Sequence, residues 1–175
     1  MRRSLIIATG LMAVALVGCS SGDSISIEVF PLEGAAYGTG PSQTPFRASG
    51  AAVDDAIVCE NGMTTSDHYE SPEGQIITGE ELGELIEATR AAEGVIDLYL
   101  VDEFVCDDGS GTFTMRTHTG RDYAKTEVQE ETRSWEIESG TGNYAALSGS
   151  GEVPRVFGDS PDAATTVYTG EIESG

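Results

Sequence analysis

The stretch "GTGNYAALSGSG", Gly140 to Gly151, decides how this chain is read. From Gly140 it offers G-T-G-N-Y-A, which fits the glycine fingerprint of a dinucleotide-binding turn. That turn needs a strand before it and a helix after it, whose N-terminus faces the pyrophosphate. Trp135 to Glu138 supplies a strand, but "NYAALS" runs only six residues before glycine returns, too few to build the helix. No parallel crossover pattern surrounds the motif, and no P-loop lysine is present. The phosphate reading therefore fails on context. What remains is strand, glycine turn, strand. Gly140 and Gly142 take positive φ at a bulge or tight turn. Tyr144 and Leu147 reach back as plugs against the core, and Gly149 and Gly151 allow close backbone approach where a barrel curves.

Outward from this turn, most segments read as strands. Ile25, Ile27 and Val29 alternate with Ser26 and Glu28, a period of two that exposes one face. Phe46 to Val53 and Ala56 to Glu60 read as short strands or extended pieces. Val95 to Cys106 is the strongest, with Ile96, Leu98, Leu100 and Phe104 on one face. "CDDGSG" then turns the chain. Thr112 to His118 runs back with Phe113 and Met115 on one face, Arg116 and His118 on the other. Arg133, Trp135 and Ile137 share a face, and Glu152 to Phe157 and Thr165 to Ile172 complete the set. Strands spaced this closely, with Gly and Asp turns, predict an antiparallel sandwich or barrel. One stretch departs: "TGEELGELIEATRAAEG" has Thr78 as N-cap with Glu81 three residues on, a capping box. Leu82, Leu85, Ile86 and Thr89 recur at helical spacing and Gly94 suits the stop, so a helix is predicted over 79–93. Gly83 inside it costs about 1 kcal/mol. It either caps one end of the barrel or acts as a lid.

The motif "GTGNYAALSGSG" resembles the glycine-aromatic-glycine signature of the allene oxide cyclase-like and dirigent-like barrels, carried here by Gly140, Gly142, Tyr144, Gly149 and Gly151. "VCDDGSGTFTMR", "WEIESGTGNYAALSGSGEV" and "FRASGAAVDDAIVCENG" are similar to small secreted bacterial proteins of that superfamily, so the resemblance covers most of residues 45–157. It implies an all-β fold, an eight-stranded antiparallel calycin-like barrel with a central cavity. The plant members cyclise an unstable fatty-acid epoxide or guide phenoxy radical coupling. No motif here matches their polar pocket residues, and the helix at 79–93 departs from their pattern, so the resemblance implies fold rather than function.

Composition sets the address. Arg2 and Arg3 followed by the apolar run Leu5 to Val17 read as an export signal, 1–18, too short to span a bilayer as a helix. Leu16-Val17-Gly18-Cys19 matches a lipobox, with Cys19 as the lipidated residue, 19–24 as a tether and 25–175 as a single domain. The expected location is the extracytoplasmic face, membrane-anchored by acyl chains that contribute about 0.8 kcal/mol per buried methylene. Without Arg2 and Arg3, seven basic side chains face 30 acidic ones, a net charge of −23. Such a surface repels nucleic acid and anionic headgroups. With Cys19 lipidated, Cys59 and Cys106 remain, and an oxidising compartment makes a disulfide the natural reading, two free thiols the other. The two histidines, His68 and His118, show no ligand spacing, so no metal is expected. A calcium reading of "VDEFVCDDGSG" and "GDSPD" meets no EF-hand pattern, and turn chemistry explains those acids.

No nucleophile motif, acid–base pair or cofactor loop is present, so no catalytic residue and no cofactor are expected. The function expected is a non-enzymatic barrel that binds a small apolar ligand or a surface partner. The alternative is an isomerase or cyclase that acts through cavity shape. One polar residue falls out of place. Asp102 has the parity of Leu98, Leu100 and Phe104, so it points inward, and Arg133 shares parity with Trp135 and Ile137. Either the two meet inside the barrel or at its mouth, or a bulge near Cys106 turns Asp102 out to solvent.

Overall fold

A computed structural model describes residues 22–30, 43–124, 133–153 and 165–175. Eight antiparallel strands form one closed barrel: β1 (Asp23–Val29), β2 (Gln43–Ser49), β3 (Asn61–Glu70), β5 (Val95–Cys106), β6 (Thr112–Asp122), β7 (Arg133–Gly140), β8 (Leu147–Val153) and β9 (Thr166–Ser174). The hydrogen-bonded order runs β2-β1-β9-β8-β7-β6-β5-β3, and the β2–β3 pairing, with Phe46 opposite Gly62, closes the ring. Closure leaves no free edge on these eight strands. A two-residue strand, β4 (Ile76–Ile77), pairs only with the end of β3. The all-β, eight-stranded fold with one inserted helix is therefore the one expected.

The inward faces follow the period of two. Ile27 sits opposite both Ala48 and Tyr168, and Phe104 opposite both Phe113 and Thr64. Phe104 and Phe113 stack with centroids 5.0 Å apart, Phe46 meets Phe104 edge-on at 5.2 Å, and Tyr144 meets Phe113 edge-on at 5.8 Å. Aromatic pairs of this kind contribute about 0.5–1.5 kcal/mol each beyond their burial.

The two ends of the barrel differ. At one end the connections are short and packed. The four-residue helix α1 (Ala51–Asp54) buries Ala52, Cys59 is disulfide-bonded to Cys106 with Cα atoms 6.0 Å apart, and a single 3-10 turn, Gly142–Tyr144, inserts Tyr144. At the other end lie Val29, Gln43, Glu70, Val95, Asp122, Arg133, Val153 and Thr166, the strand ends that the longer connections join. This second end is the rim of the barrel.

The opening motif docks on the β5–β6 turn. Asn143 N donates to Ser110 O (2.9 Å), Thr141 N donates to Thr112 O (2.8 Å), and the Tyr144 hydroxyl lies 2.6 Å from Ser110 Oγ and 3.4 Å from Cys106 Sγ. Asp108 holds that turn by accepting from Ser110 N at 2.8 Å, which is the turn chemistry expected of "CDDGSG". Gly142 has φ +59°, as expected, and a Cβ there would run into Ser110 O. Gly140 is different: its φ is not positive, and it is small because Tyr144 folds back over it. Gly142→Val will destabilise the barrel by about 1–3 kcal/mol from backbone strain alone. A denaturant melt checks this, and an unchanged midpoint would contradict it.

Several boundaries differ from the sequence reading. The stretch 46–53 is not one strand: Gly50 at φ +111° ends β2, and the apolar residues after it turn into α1. Ala56 to Glu60 is not a strand either, since Ile57 and Val58 both donate to Ala52 O and pack under the barrel end. The strand is β3, whose inward residues Gly62, Thr64 and Ser66 are small or polar and so hide the alternation. β8 begins at Leu147, and the portion of the expected 152–157 strand beyond Val153 lies outside the described residues, as do the lipobox with Cys19 and "GDSPD". β1 begins at Asp23, so the last residues expected in the tether are already paired.

The helix α2 (Gly79–Ala91) has the expected capping box, Glu81 N donating to Thr78 Oγ1 and Thr78 N to Glu81 Oε2. It stops two residues early, because the left-handed position falls on Glu93 (φ +49°), one residue before Gly94. None of its residues is buried. It joins the rim ends of β4 and β5, with Arg90 held 5.6 Å from the Tyr123 ring centroid.

Candidate functional site

The interior is apolar except for one layer. Asp102 on β5 is 4% exposed, Thr64 on β3 6% and Thr117 on β6 3%. The Asp102 carboxyl accepts from Ser66 Oγ at 2.7 Å and from the Tyr168 hydroxyl at 3.1 Å. Strand register explains the gathering. Ser66 stands directly opposite Asp102 on β3, and Thr117 lies diagonally across on β6, opposite Leu100. Tyr168 comes from β9, on the far side of the ring, so its side chain spans the interior to reach the carboxyl.

Asp102 thus points inward, as its parity predicts, and does not turn out to solvent. The barrel's irregularity at this level is on the neighbouring strand, between Ser66 and His68 of β3. Val101 and Asp102 are both buried, one on each face of the wall.

The partner expected for Asp102 is not the one found. Among the described residues no ion pair joins Asp102 and Arg133. Asp102 pairs with Met115, which in turn pairs with Ile137. Arg133 lies four residues further along β7, half-buried at the rim opposite Val153. Parity placed both side chains inward, and the two do not meet as an ion pair. The link between them is Tyr168, whose phenol hydrogen-bonds Asp102 and feels the positive field of Arg133.

Electrostatics follow from burial. Loss of water pushes the Asp102 carboxyl above its ordinary range, against the pull of the hydrogen bonds from Ser66 and Tyr168. Burial, then the Asp102 charge, push the Tyr168 phenol well up, so it stays protonated and donates. Thr117 Oγ1 faces the phenol closely enough to favour its ionised form, yet it meets no hydrogen-bond geometry. Thr117 Oγ1 and Thr64 Oγ1 are both buried without a partner. Two unpartnered hydroxyls beside a buried carboxyl are costly, at about 1–3 kcal/mol per unsatisfied group.

An acid with a raised folded value keeps its proton in the folded chain where the unfolded chain has lost it. Its stabilising contribution is complete below the ordinary aspartate range and is lost as pH rises through the folded value. Asp102→Asn removes this dependence. Thermal melts from about pH 4 to pH 8 will show the variant gaining on the parent as pH rises. A constant difference across that range would contradict a buried, titrating Asp102.

A second polar group sits on the outer wall. Arg116 stacks over the Tyr99 ring (3.7 Å to the centroid) and its Nε donates to Glu70 Oε2 at 3.2 Å. His68 bridges Glu70 (2.9 Å) and Asp67 (3.0 Å). Burial lowers the His68 value, but the hydrogen bonds and charges of Glu70 and Asp67 outweigh it and leave it raised. These side chains satisfy one another and roof Val101, which is a structural task. Among the described residues no group of three His, Cys, Asp or Glu is placed to hold a metal, and no helix is long and apolar enough to cross a membrane.

Sequence reading found Asp102 and missed its partners. Tyr168 was findable, since it shares parity with the buried Ile172. Ser66 and Thr64 were not, because β3 carried no alternation to read. The fold and this layer together define a closed, eight-stranded antiparallel barrel with a buried carboxyl–phenol group inside it. No protein-family model, curated protein or solved structure matches the chain.

Proposed function

We propose that this protein is a lipoprotein held at the extracytoplasmic face through Cys19, and that its barrel is a non-enzymatic binding module for a small, largely apolar molecule. The observation that carries the reading is a buried polar layer short of partners: Thr64 Oγ1 has none, and Thr117 Oγ1 has only its approach to the Tyr168 phenol, in the same interior layer as Asp102. Buried polar groups are nearly always paired in folded proteins, and a guest is one way to pair them. Towards the rim the wall is lined by Leu98 and Ile96, which suits an apolar body. An eight-stranded barrel has room for side chains or for one small ligand. The closed antiparallel ring and the packing of Tyr144 against its glycine turn are also what membership of the allene oxide cyclase-like and dirigent-like superfamily would imply, and we assign the chain there on that ground.

The cyclase alternative rests on a specific feature as well: a carboxyl whose affinity for its proton is raised by burial lies next to a phenol, shielded from water. Binding alone needs fewer assumptions, since the phenol beside Asp102 is pushed well up and serves as a donor rather than a base. Mass spectrometry of the membrane-extracted protein tests both parts of the reading. We expect the mass of a chain cleaved before Cys19 and acylated there, with a non-covalent guest that is lost from Asp102→Asn. An unmodified Cys19 would overturn the address, and a guest-free parent would overturn the binding role.

A further inference from the structure

We propose that the interior polar layer takes a primary ammonium group carried on an apolar body. This rests on the binding role above and names the chemistry of its guest. Asp102 brings one carboxyl, and its partners within hydrogen-bond distance are two hydroxyls, Ser66 at 2.7 Å and Tyr168 at 3.1 Å. Among the described residues no cation pairs with it. The unsatisfied atoms of the layer, Thr64 Oγ1 and Thr117 Oγ1, are oxygens. So are the atoms with lone pairs to spare, those of the Asp102 carboxyl and the Tyr168 hydroxyl.

An ammonium offers three donors, one positive charge and no acceptor, and it matches such a set group for group. A carboxylate guest offers only acceptors. It would meet the Asp102 charge at short range in a poorly screened interior, where like charges are most costly. A neutral alcohol could satisfy the hydroxyls but would leave the carboxyl without a counter-charge. The field of the whole chain acts in the same direction: a formal charge of −21 concentrates cations near the surface and depletes anions.

Arg133 is the opposing feature. It stands on β7 at the rim, and its charge reaches the phenol that bonds Asp102. It would weaken an ammonium guest and strengthen a carboxylate one, so the sign of its effect separates the two.

Equilibrium titration of the folded domain with hexylammonium, hexanoate, hexanol and ammonium chloride provides the test. We expect hexylammonium to bind, and Asp102→Asn to weaken it by about tenfold or more, the scale of one charge-assisted hydrogen bond. Thr117→Val, nearly the same shape, will also weaken it, and Arg133→Gln will tighten it. Melting curves confirm that each variant is folded at the titration temperature. Hexanol binding as well as hexylammonium would overturn the ammonium assignment while leaving the binding role intact. Tighter binding of hexanoate, lost in Arg133→Gln, would overturn it in favour of a rim anion site. Ammonium chloride that competes at equal concentration would overturn the apolar body and leave a free-cation site. Binding of none of the four would count against the inference and the binding role together.

Discussion

Replacing Cys59 and Cys106 together by alanine will lower the stability of the domain by about 4 kcal/mol, the chain-entropy value for a loop of 47 residues. For a domain of this size that is a fall in melting temperature of roughly 10 °C. The bridge joins the segment after α1 to the last residue of β5, where Cys106 also pairs in register with Gly62 of β3. It therefore cross-links the closed end of the barrel, where both sulfurs are buried and the Tyr144 hydroxyl rests 3.4 Å from Cys106 Sγ. Reductant should reproduce the effect in the parent. A melting temperature unmoved by reductant, with two thiols released on counting, would show that the bridge adds nothing to stability.

Trp135→Ala will cost about 3–5 kcal/mol, the range for removing a large aromatic from a packed interior. Trp135 is 2% exposed, and its indole Nε1 reaches past β8 to donate to Thr169 O of β9 at 3.1 Å. The ring lies over a floor of glycine. A Cβ at Gly170 would stand 2.6 Å from Trp135 Cζ2, and one at Gly151 would strike Thr169 O. Glycine there makes room for the indole and lets β8 and β9 approach, so Gly170→Ala should destabilise as well, although it adds only a methyl. A denaturant series on both variants checks the pair. If Trp135→Ala cost under about 1 kcal/mol, the indole would not be a core element.

How much of this was legible in the residues depended on contrast between faces. Val95 to Cys106 alternates strongly, and its strand limits match the reading to the residue. The capping box at Thr78 and Glu81 is local chemistry, and it too was legible. "NGMTTSDHYE" was not, because its inward residues are Gly62, Thr64 and Ser66 and a period of two needs apolar residues to be visible. α1 was hidden for the opposite reason: "AAVD" is apolar enough to extend a strand, and only the left-handed turn at Gly50 redirects it. The buried site was half legible. Parity shows which face a side chain takes but not its height in a barrel, which is set by ladder register across several strands. Asp102 was therefore placed on the right face, while its hydrogen-bond partners, Ser66 from β3 and Tyr168 reaching over from β9, were not read from the sequence.

The central claim is a titratable carboxyl buried inside a closed ring of strands, and carbon-13 NMR of the Asp102 side chain across a pH titration tests it most directly. We predict that the Asp102 carboxyl carbon will titrate above the ordinary aspartate range, moving further up when Ser66→Ala removes one hydrogen bond to the charged form and little when Arg133→Gln removes the distant cation. Titration of Asp102 within the ordinary range, or a shift in Arg133→Gln as large as that in Ser66→Ala, would contradict it.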